Sequence, residues 1–287
     1  MSDIDNELQH YKEHFSGKTV LCNCDDPRVS NFFHYFSFNF EALGLKKLIT
    51  TCYKNQERDF FSKNECDQAV YLEYEGDKNG NHIPDAEEIG VKPLKGDGDF
   101  RSAECIELLK QADVVVTNPP FSLFKEFVKV LMDNNKDFII LGNMNAITYK
   151  EVFQYIKENR NRLGFTNGAK SFIIPNGEEK TVNICWYTTL PIAKYKEELI
   201  LFRKYTPEAY PKYDNYDAIN VDKVADIPCD YNGVMGVPIS FLDKYNPKQF
   251  QIIGNELSLN IDRGRGYVSG KRMYSRIFIK RKIVFRS

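Results

Sequence analysis

A tetrapeptide with residue types suited to chemistry, Asn118-Pro119-Pro120-Phe121, comes directly after residues 113–117, which contain the apolar run Val114–Val116. The run predicts a buried strand, and open α/β sheets bind ligands at the carboxyl ends of their strands. The two prolines stiffen the turn because their rings fix φ. The Asn118 side-chain oxygen accepts hydrogen bonds without carrying charge. With the Pro119 carbonyl it can hold both N–H groups of a planar amine, while Phe121 offers a face for stacking.

This arrangement predicts methyl transfer to an amino group. The lone pair of an exocyclic or amide nitrogen is delocalised, so that nitrogen is a poor nucleophile. Two preorganised acceptors favour its pyramidal form and aim the lone pair at a sulfonium methyl group. The tetrapeptide does not distinguish adenine in DNA from a purine in RNA or a glutamine in a protein. A rigid strand–helix turn without catalytic role is the structural alternative.

The surrounding pattern alternates strands with helices, which predicts an α/β fold with a mainly parallel sheet. The predicted helices span 3–15, 31–43, 103–111 and 149–158, with another after residue 123, and the predicted strands span 19–23, 47–52, 69–74, 113–117 and 138–141. Two later strands, 171–174 and 181–188, flank Asn176-Gly177, which predicts a hairpin. After residue 205 prolines punctuate short segments rich in Tyr, Asp and Asn, and we expect a domain boundary there.

Composition narrows the class of protein. The chain has 287 residues, of which 42% are hydrophobic and 28% charged, an ordinary globular balance. Neither a membrane-length apolar run nor a signal peptide is present, so we expect a cytoplasmic protein without a membrane partner. The seven cysteines have scattered spacings, which favours reduced thiols. We predict no metal site.

Charge is distributed unevenly along the chain. The net charge is −1, but residues 263–287 hold nine basic residues and no acidic one. Such asymmetry is typical of a surface for nucleic acid, although a solvated tail is the alternative. The candidate DNA-binding residues are Arg263, Arg265, Lys271, Arg272, Arg276, Lys280, Arg281 and Lys282. Residues 276–280 predict a strand that buries Ile277 and Ile279 and points its other side chains outward.

Several blocks along the chain resemble the EcoRI-type adenine-specific DNA methyltransferase family, the type II modification methylases. They are residues 11–52 with Cys22-Asn-Cys-Asp-Asp-Pro-Arg28, Gly96-Asp-Gly-Asp-Phe-Arg-Ser102, Val115-Val-Thr-Asn-Pro-Pro-Phe-Ser-Leu-Phe124, residues 147–153, 210–220 and 231–239. The resemblance implies a Rossmann-like methyltransferase fold, S-adenosylmethionine as the methyl donor and N6 of a flipped adenine in double-stranded DNA as the acceptor. It also implies a catalytic domain, residues 1–205, followed by a target-recognition region, residues 206–287. We expect the enzyme to act as a monomer.

The resemblance also assigns the site residues. It implies a catalytic role for Asn118, Pro119, Pro120 and Phe121. Methyltransferases usually bind the donor with a glycine-rich loop after the first strand, whereas this chain has Asn23-Cys24-Asp25-Asp26-Pro27-Arg28 there. The resemblance places donor binding on Asn23, Cys24, Asp25 and Asp26, and a second donor contact on Asp99 and Phe100. These aspartates are also suited to capping turns.

Two other functions stay open. One is methylation of RNA or of a protein glutamine by the same tetrapeptide. The other is a non-catalytic DNA-binding relative without a complete donor pocket, because the family has an upstream Phe-Tyr-Thr stretch and this chain starts downstream of its place.

Overall fold

The structure is a computed structural model, and it describes residues 2–24, 30–53, 69–78, 80, 84, 90–173, 179–261 and 264–282. The chain divides into two compact units. The first comprises Met1–Ala146 and Asn161–Leu190, and the second comprises Ile147–Arg160 and Pro191–Ser287. Residues 147–160 and 191–205 therefore belong to the second unit, whereas the sequence placed them in a catalytic domain ending at 205. The functions assigned to the two parts stay predictions.

The first unit is built on a mixed β-sheet. Its strands are β1 (Thr19–Asn23), β2 (Lys47–Cys52), β3 (Val70–Tyr74), β4 (Gly90–Pro93), β5 (Val114–Thr117), β6 (Asp137–Asn143), β7 (Arg162–Leu163), β8 (Gly168–Ile173) and β9 (Glu179–Thr188). They lie in the order β4-β3-β2-β1-β5-β6-β9-β7, with β8 paired to β9. The central strands β2, β1, β5 and β6 are parallel. The outer strands are antiparallel to their neighbours.

The helices of this unit are α1 (Ser2–Leu8), α2 (Asn31–Phe38), α3 (Phe40–Leu43), α4 (Ala103–Gln111) and α5 (Phe124–Asp133). Apolar side chains of α2 and α5 are buried, and the residues of β1 and β5 are buried along their whole length. Parallel strands covered on both faces require such continuous apolar runs. The sheet therefore holds a rigid core beneath its carboxyl edge.

The second unit contains α6 (Lys150–Lys157) and two small sheets. Strands β10 (Ile219–Asn220), β11 (Met235–Pro238), β12 (Phe250–Asn255) and β15 (Arg276–Arg281) form one sheet, in the order β10-β11-β15-β12. Strands β13 (Tyr267–Val268) and β14 (Lys271–Arg272) form an antiparallel pair. Within the described ranges, none of the helices combines the length and apolar character needed to cross a bilayer.

Most predicted elements are confirmed, with differences at their ends. The predicted helix 3–15 is α1 followed by a 3₁₀ helix, Gln9–His14, and the helix 31–43 is divided into α2 and α3 at Asn39. The Asn39 side chain donates to the Tyr35 carbonyl at 2.8 Å, a local bond that competes with helix continuation. The predicted hairpin is confirmed by the pairing of β8 with β9, while its Asn176-Gly177 turn lies outside the described residues.

Candidate active site and nucleic-acid interface

The Asn-Pro-Pro-Phe turn stands at the carboxyl end of β5, between the ends of β1 and β6. The Asn118 Oδ1 atom is buried and accepts no hydrogen bond from any residue that the structure describes. The Pro120 carbonyl accepts from the Leu123 N–H at 3.0 Å, in a 3₁₀ turn, Phe121–Leu123, that leads into α5. Because the Pro120 carbonyl is engaged in this way, the two acceptors predicted for an amine are the Asn118 side chain and the Pro119 carbonyl. Phe121 is half-buried.

Contacts to both neighbouring strands hold this turn in place. The Thr117 hydroxyl donates to the Asn23 carbonyl, which ties the end of β5 to the end of β1. On the other side the Phe124 ring lies against β6 so closely that a Cβ on Gly142 would be 2.5 Å from it. Phe124 also packs against Tyr187, with 5.0 Å between the ring centroids. A catalytic group on such a fixed backbone needs no reorganisation before it acts.

A second buried amide lies at the end of the adjacent strand. Asn23 is 6% exposed, and its Oδ1 also lacks a hydrogen-bond partner among the described residues. Cys24 then turns the chain with a φ of +76°. Leaving a buried acceptor unpaired costs about 1–3 kcal/mol. Two such acceptors, on Asn23 and Asn118 at the ends of paired strands, indicate a site that a ligand with N–H donors completes.

The loop after β1, for which donor binding is predicted, is described only at its ends. Asp25 and Asp26 lie outside the described residues, so their predicted contact with the donor stays a prediction. After this loop, the Ser30 hydroxyl accepts hydrogen bonds from the Phe32 and Phe33 amides and caps α2. The helix that follows the loop therefore begins at a fixed point.

The loop that holds Asp99 and Phe100 is packed against the end of β2. Gly98 has a φ of +81°, and a Cβ there would be 2.5 Å from the Cys52 carbonyl oxygen. Phe100 is buried, with its ring centroid 5.0 Å from that of Phe127 on α5. Phe100 is therefore a packing residue between this loop and α5, the helix that follows the Asn-Pro-Pro-Phe turn.

The Asp99 carboxylate forms an ion pair with Arg101. Its Oδ1 accepts from Arg101 Nε at 2.9 Å, and its Oδ2 accepts from Nη2 at 2.6 Å. The Arg101 guanidinium holds the pKa of the Asp99 carboxyl below its ordinary value, against the opposing effect of burial. Asp99 is thus a carboxylate at neutral pH. Any contact with a donor would share it with Arg101.

Residue Glu7 on α1 is a feature that sequence reasoning missed. Its carboxylate is fully buried. It accepts hydrogen bonds from the Tyr11 hydroxyl at 2.8 Å and from the Phe165 amide at 2.8 Å. The amide and the hydroxyl of Thr166 donate two further hydrogen bonds to it. A Cβ on Gly164 would collide with it. The feature of the sequence that indicates its burial is its position on the apolar side of a predicted helix, between Ile4 and Leu8. Glu7 anchors α1 to the segment after β7.

The predicted DNA-binding residues do not form one surface. The prediction that Arg276 points outward is wrong, because residues 276–279 of β15 are buried on both faces of the strand. Arg276 is 8% exposed and lies 3.7 Å from Asp222, with its amide donating to Glu256 at 3.0 Å. Phe278, also expected outside, belongs to the core of this unit. Arg276 is therefore a structural residue.

The other basic residues differ in how free they are to bind. Arg281 donates to the Cys229 carbonyl, and Arg265 donates to the Ser275 hydroxyl at 2.7 Å. Lys282 is exposed, although its ammonium donates to the Pro247 carbonyl at 2.7 Å. Among the predicted DNA-binding residues that the structure describes, Lys271, Arg272 and Lys280 are exposed and have neither a side-chain hydrogen bond nor an ion pair within the described ranges. Arg263 lies outside the described residues.

An α/β sheet that presents Asn-Pro-Pro-Phe at a strand end, with a buried asparagine oxygen that accepts no hydrogen bond from the described residues, is typical of the class of amino-methyltransferases. The family model for the adenine-specific methyltransferase EcoRI matches residues 1–282. The chain belongs to this family of enzymes, as its sequence blocks predict.

Individual relatives agree with the family. The chain is 49% identical to the Type II methyltransferase M.EcoRI of Escherichia coli over 300 residues, covering 98% of this chain and 91% of the relative. It is 38% identical to a Type II methyltransferase of Mycoplasma genitalium, covering 98% and 94%. It is 36% identical to the Type II methyltransferase M.MpnI of Mycoplasma pneumoniae, covering 98% and 92%.

Proposed function

We propose that this enzyme transfers the methyl group of S-adenosylmethionine to the N6 amino group of an adenine in double-stranded DNA. The observation that carries the proposal is the buried Asn118 oxygen, which accepts no hydrogen bond from the described residues and stands in a rigid turn at a strand end. The family and its Type II relatives support adenine as the base and DNA as the polymer.

The acceptor chemistry follows from the turn. Asn118 Oδ1 and the Pro119 carbonyl accept the two N–H groups of the adenine amine, which favours a pyramidal nitrogen. The N6–C bond then forms as the sulfonium S–C bond breaks, which leaves a neutral thioether and a positively charged N6. This nitrogen is strongly acidic because loss of its proton restores conjugation with the ring, so the proton passes to water and no charged base is required. The two neutral acceptors hold the N–H groups while the bond forms. The half-buried Phe121 ring supplies a stacking face for a base taken out of the duplex.

The residues at the end of β1 fit the donor. S-adenosylmethionine supplies an electrophilic methyl group and carries an ammonium and an adenine amino group, which are N–H donors. The unpaired Asn23 oxygen is an acceptor of the kind that these groups need. We assign donor binding to Asn23 and Cys24 with Asp25 and Asp26 beyond them, and a second contact to the loop of Asp99 and Phe100. The first unit is then the Rossmann-like catalytic part.

DNA binding is assigned to the second unit. Exposed cations on β14 and at the end of β15, chiefly Lys271, Arg272 and Lys280, are suited to phosphate groups. The six cysteines among the described residues are thiols, which fits a cytoplasmic enzyme. We propose that it acts as a monomer.

A methyl-transfer assay tests the proposal. Purified protein is incubated with methyl-labelled S-adenosylmethionine and, separately, with duplex DNA, RNA and a protein mixture. Label in duplex DNA alone is the expected result. Label in RNA or in protein, with none in duplex DNA, would refute DNA as the substrate. Failure to bind the donor in calorimetry would support the non-catalytic alternative.

A further inference from the structure

We infer that the β13–β14 hairpin is a preformed β-ribbon that enters a groove of the target duplex and reads its sequence through Arg272 and Tyr274. The inference rests on the proposed function and names the element that selects the site. The hairpin pairs Tyr267–Val268 with Lys271–Arg272 and turns at Ser269 and Gly270, which both have positive φ, 49° and 74°. Two left-handed residues form the tight turn that matches the twist of a ribbon.

The ribbon is held at its turn by one carboxylate. Asp214 Oδ1 accepts from the Ser269 amide at 3.1 Å, and Oδ2 accepts from the Gly270 amide at 2.8 Å. The Asp214 amide also donates to the Tyr267 carbonyl at 2.8 Å. These bonds fix the turn against a segment more than 50 residues earlier in the chain.

The base of the ribbon is held as firmly. Asn215 accepts from the Tyr267 amide at 3.1 Å and donates to the Arg265 carbonyl at 2.9 Å. Gly266 lies against the Tyr213 ring, so closely that a Cβ would be 2.5 Å away. A ribbon fixed at both ends loses little conformational entropy when it binds.

The two faces of the ribbon differ in composition. Val268 and Met273 pack against the apolar core of the second unit. Residues directly opposite in an antiparallel pair share a face, and Tyr267 is opposite Arg272. The face that points away from the core therefore carries Tyr267, Arg272 and, two residues on, Tyr274. Tyr274 is 87% exposed.

This outward face is suited to DNA. Arg272 is the cation of this face, and neither Arg272 nor Lys271 has a side-chain hydrogen bond or an ion pair within the described ranges. The major groove of B-DNA admits a two-stranded ribbon, and arginine is the side chain that most often reads guanine there. An exposed tyrosine beside it offers apolar contact to a thymine methyl or a base step. We assign Lys271, at the tip, to phosphate.

The test compares variants on the recognised sequence and on duplexes with one base pair changed. The sequence is first found by mapping the adenines that the wild-type enzyme modifies. We expect Arg272→Ala and Tyr274→Ala to reduce the ratio of kcat/KM between the recognised and altered duplexes, by about 5- to 150-fold for Arg272→Ala. Lys271→Ala should weaken all sequences alike. Lys223→Ala and Phe202→Ala, exposed residues elsewhere in this unit, serve as matched controls.

The outcomes separate this inference from the proposed function. Circular dichroism confirms that the surface variants fold. Unchanged discrimination in both Arg272→Ala and Tyr274→Ala would overturn the inference while methylation of DNA stands. If the wild-type enzyme methylates no DNA, the proposed function fails. The affinity for duplex DNA then tests the inference about the hairpin by itself. Equal affinity of wild type and Arg272→Ala would overturn the inference, and weakened binding would support it.

Discussion

Replacing Asn118 by alanine separates catalysis from stability in this enzyme. The Oδ1 atom accepts no hydrogen bond from the described residues, so its removal breaks no acceptor contact within that part of the folded chain. We therefore expect the free energy of unfolding without ligands to change by less than about 1 kcal/mol, since relief of an unpaired acceptor offsets the small cavity. Loss of one preorganised acceptor from the transition state costs about 10²–10³ in rate. Methyl transfer should fall by that factor.

The assay is single-turnover transfer of labelled methyl to duplex DNA, with urea unfolding and donor calorimetry on the same preparations. Asn134→Ala is the matched control, because that asparagine ends α5 and donates to the Val130 carbonyl at 2.8 Å. It should lose about 0.5–1.5 kcal/mol of stability and keep its rate. A rate for Asn118→Ala within a few-fold of wild type would refute the catalytic role. Equal losses of methyl-transfer rate and of donor affinity in Asn118→Ala would show that Asn118 acts in donor binding instead.

Four further predictions follow from other contacts. Gly98→Ala should weaken donor affinity in calorimetry and lower the unfolding temperature, because the left-handed backbone alone costs about 1–2 kcal/mol and the added Cβ meets the Cys52 carbonyl. Glu7→Gln should lower the free energy of unfolding in urea by about 2–3 kcal/mol, since one oxygen that accepts hydrogen bonds is lost in a buried site. Arg101→Ala should raise the pKa of Asp99 towards its ordinary value in a carboxyl NMR titration. In the wild type, the lowered pKa of Asp99 stabilises the fold above about pH 4, and this contribution is lost as the pH falls through that lowered pKa. The difference in the free energy of unfolding between the wild type and Arg101→Ala should therefore shrink in acid. Thiol titration of the denatured, non-reduced protein should find all seven cysteines.

Local pattern was enough to predict the elements that position the site. Strands β1 and β2 and helix α4 begin and end at the predicted residues, because each is a continuous apolar run or an amphipathic segment between clear boundaries. The place of Asn118 at a strand end followed from the same pattern. The family followed from blocks of residues rather than from periodicity.

The features that the sequence did not predict depend on contacts between residues far apart in the chain. The side chain of Arg276 is satisfied by Asp222 and Asn220, more than 50 residues earlier, so no local alternation could show that it is buried. The antiparallel pairing of β2 with β3 likewise depends on strand order in space. Only the folded structure shows that the buried oxygens of Asn23 and Asn118 accept no hydrogen bond from the described residues.

The most direct test of the central claim is the chemical position of the transferred methyl group. Duplex DNA treated with the wild-type enzyme and S-adenosylmethionine is digested to nucleosides and analysed by mass spectrometry, with Asn118→Ala as the blank. The account predicts N6-methyladenine in the wild-type digest and almost none in the blank. Methyl groups on cytosine, or equal N6-methyladenine in both digests, would contradict it.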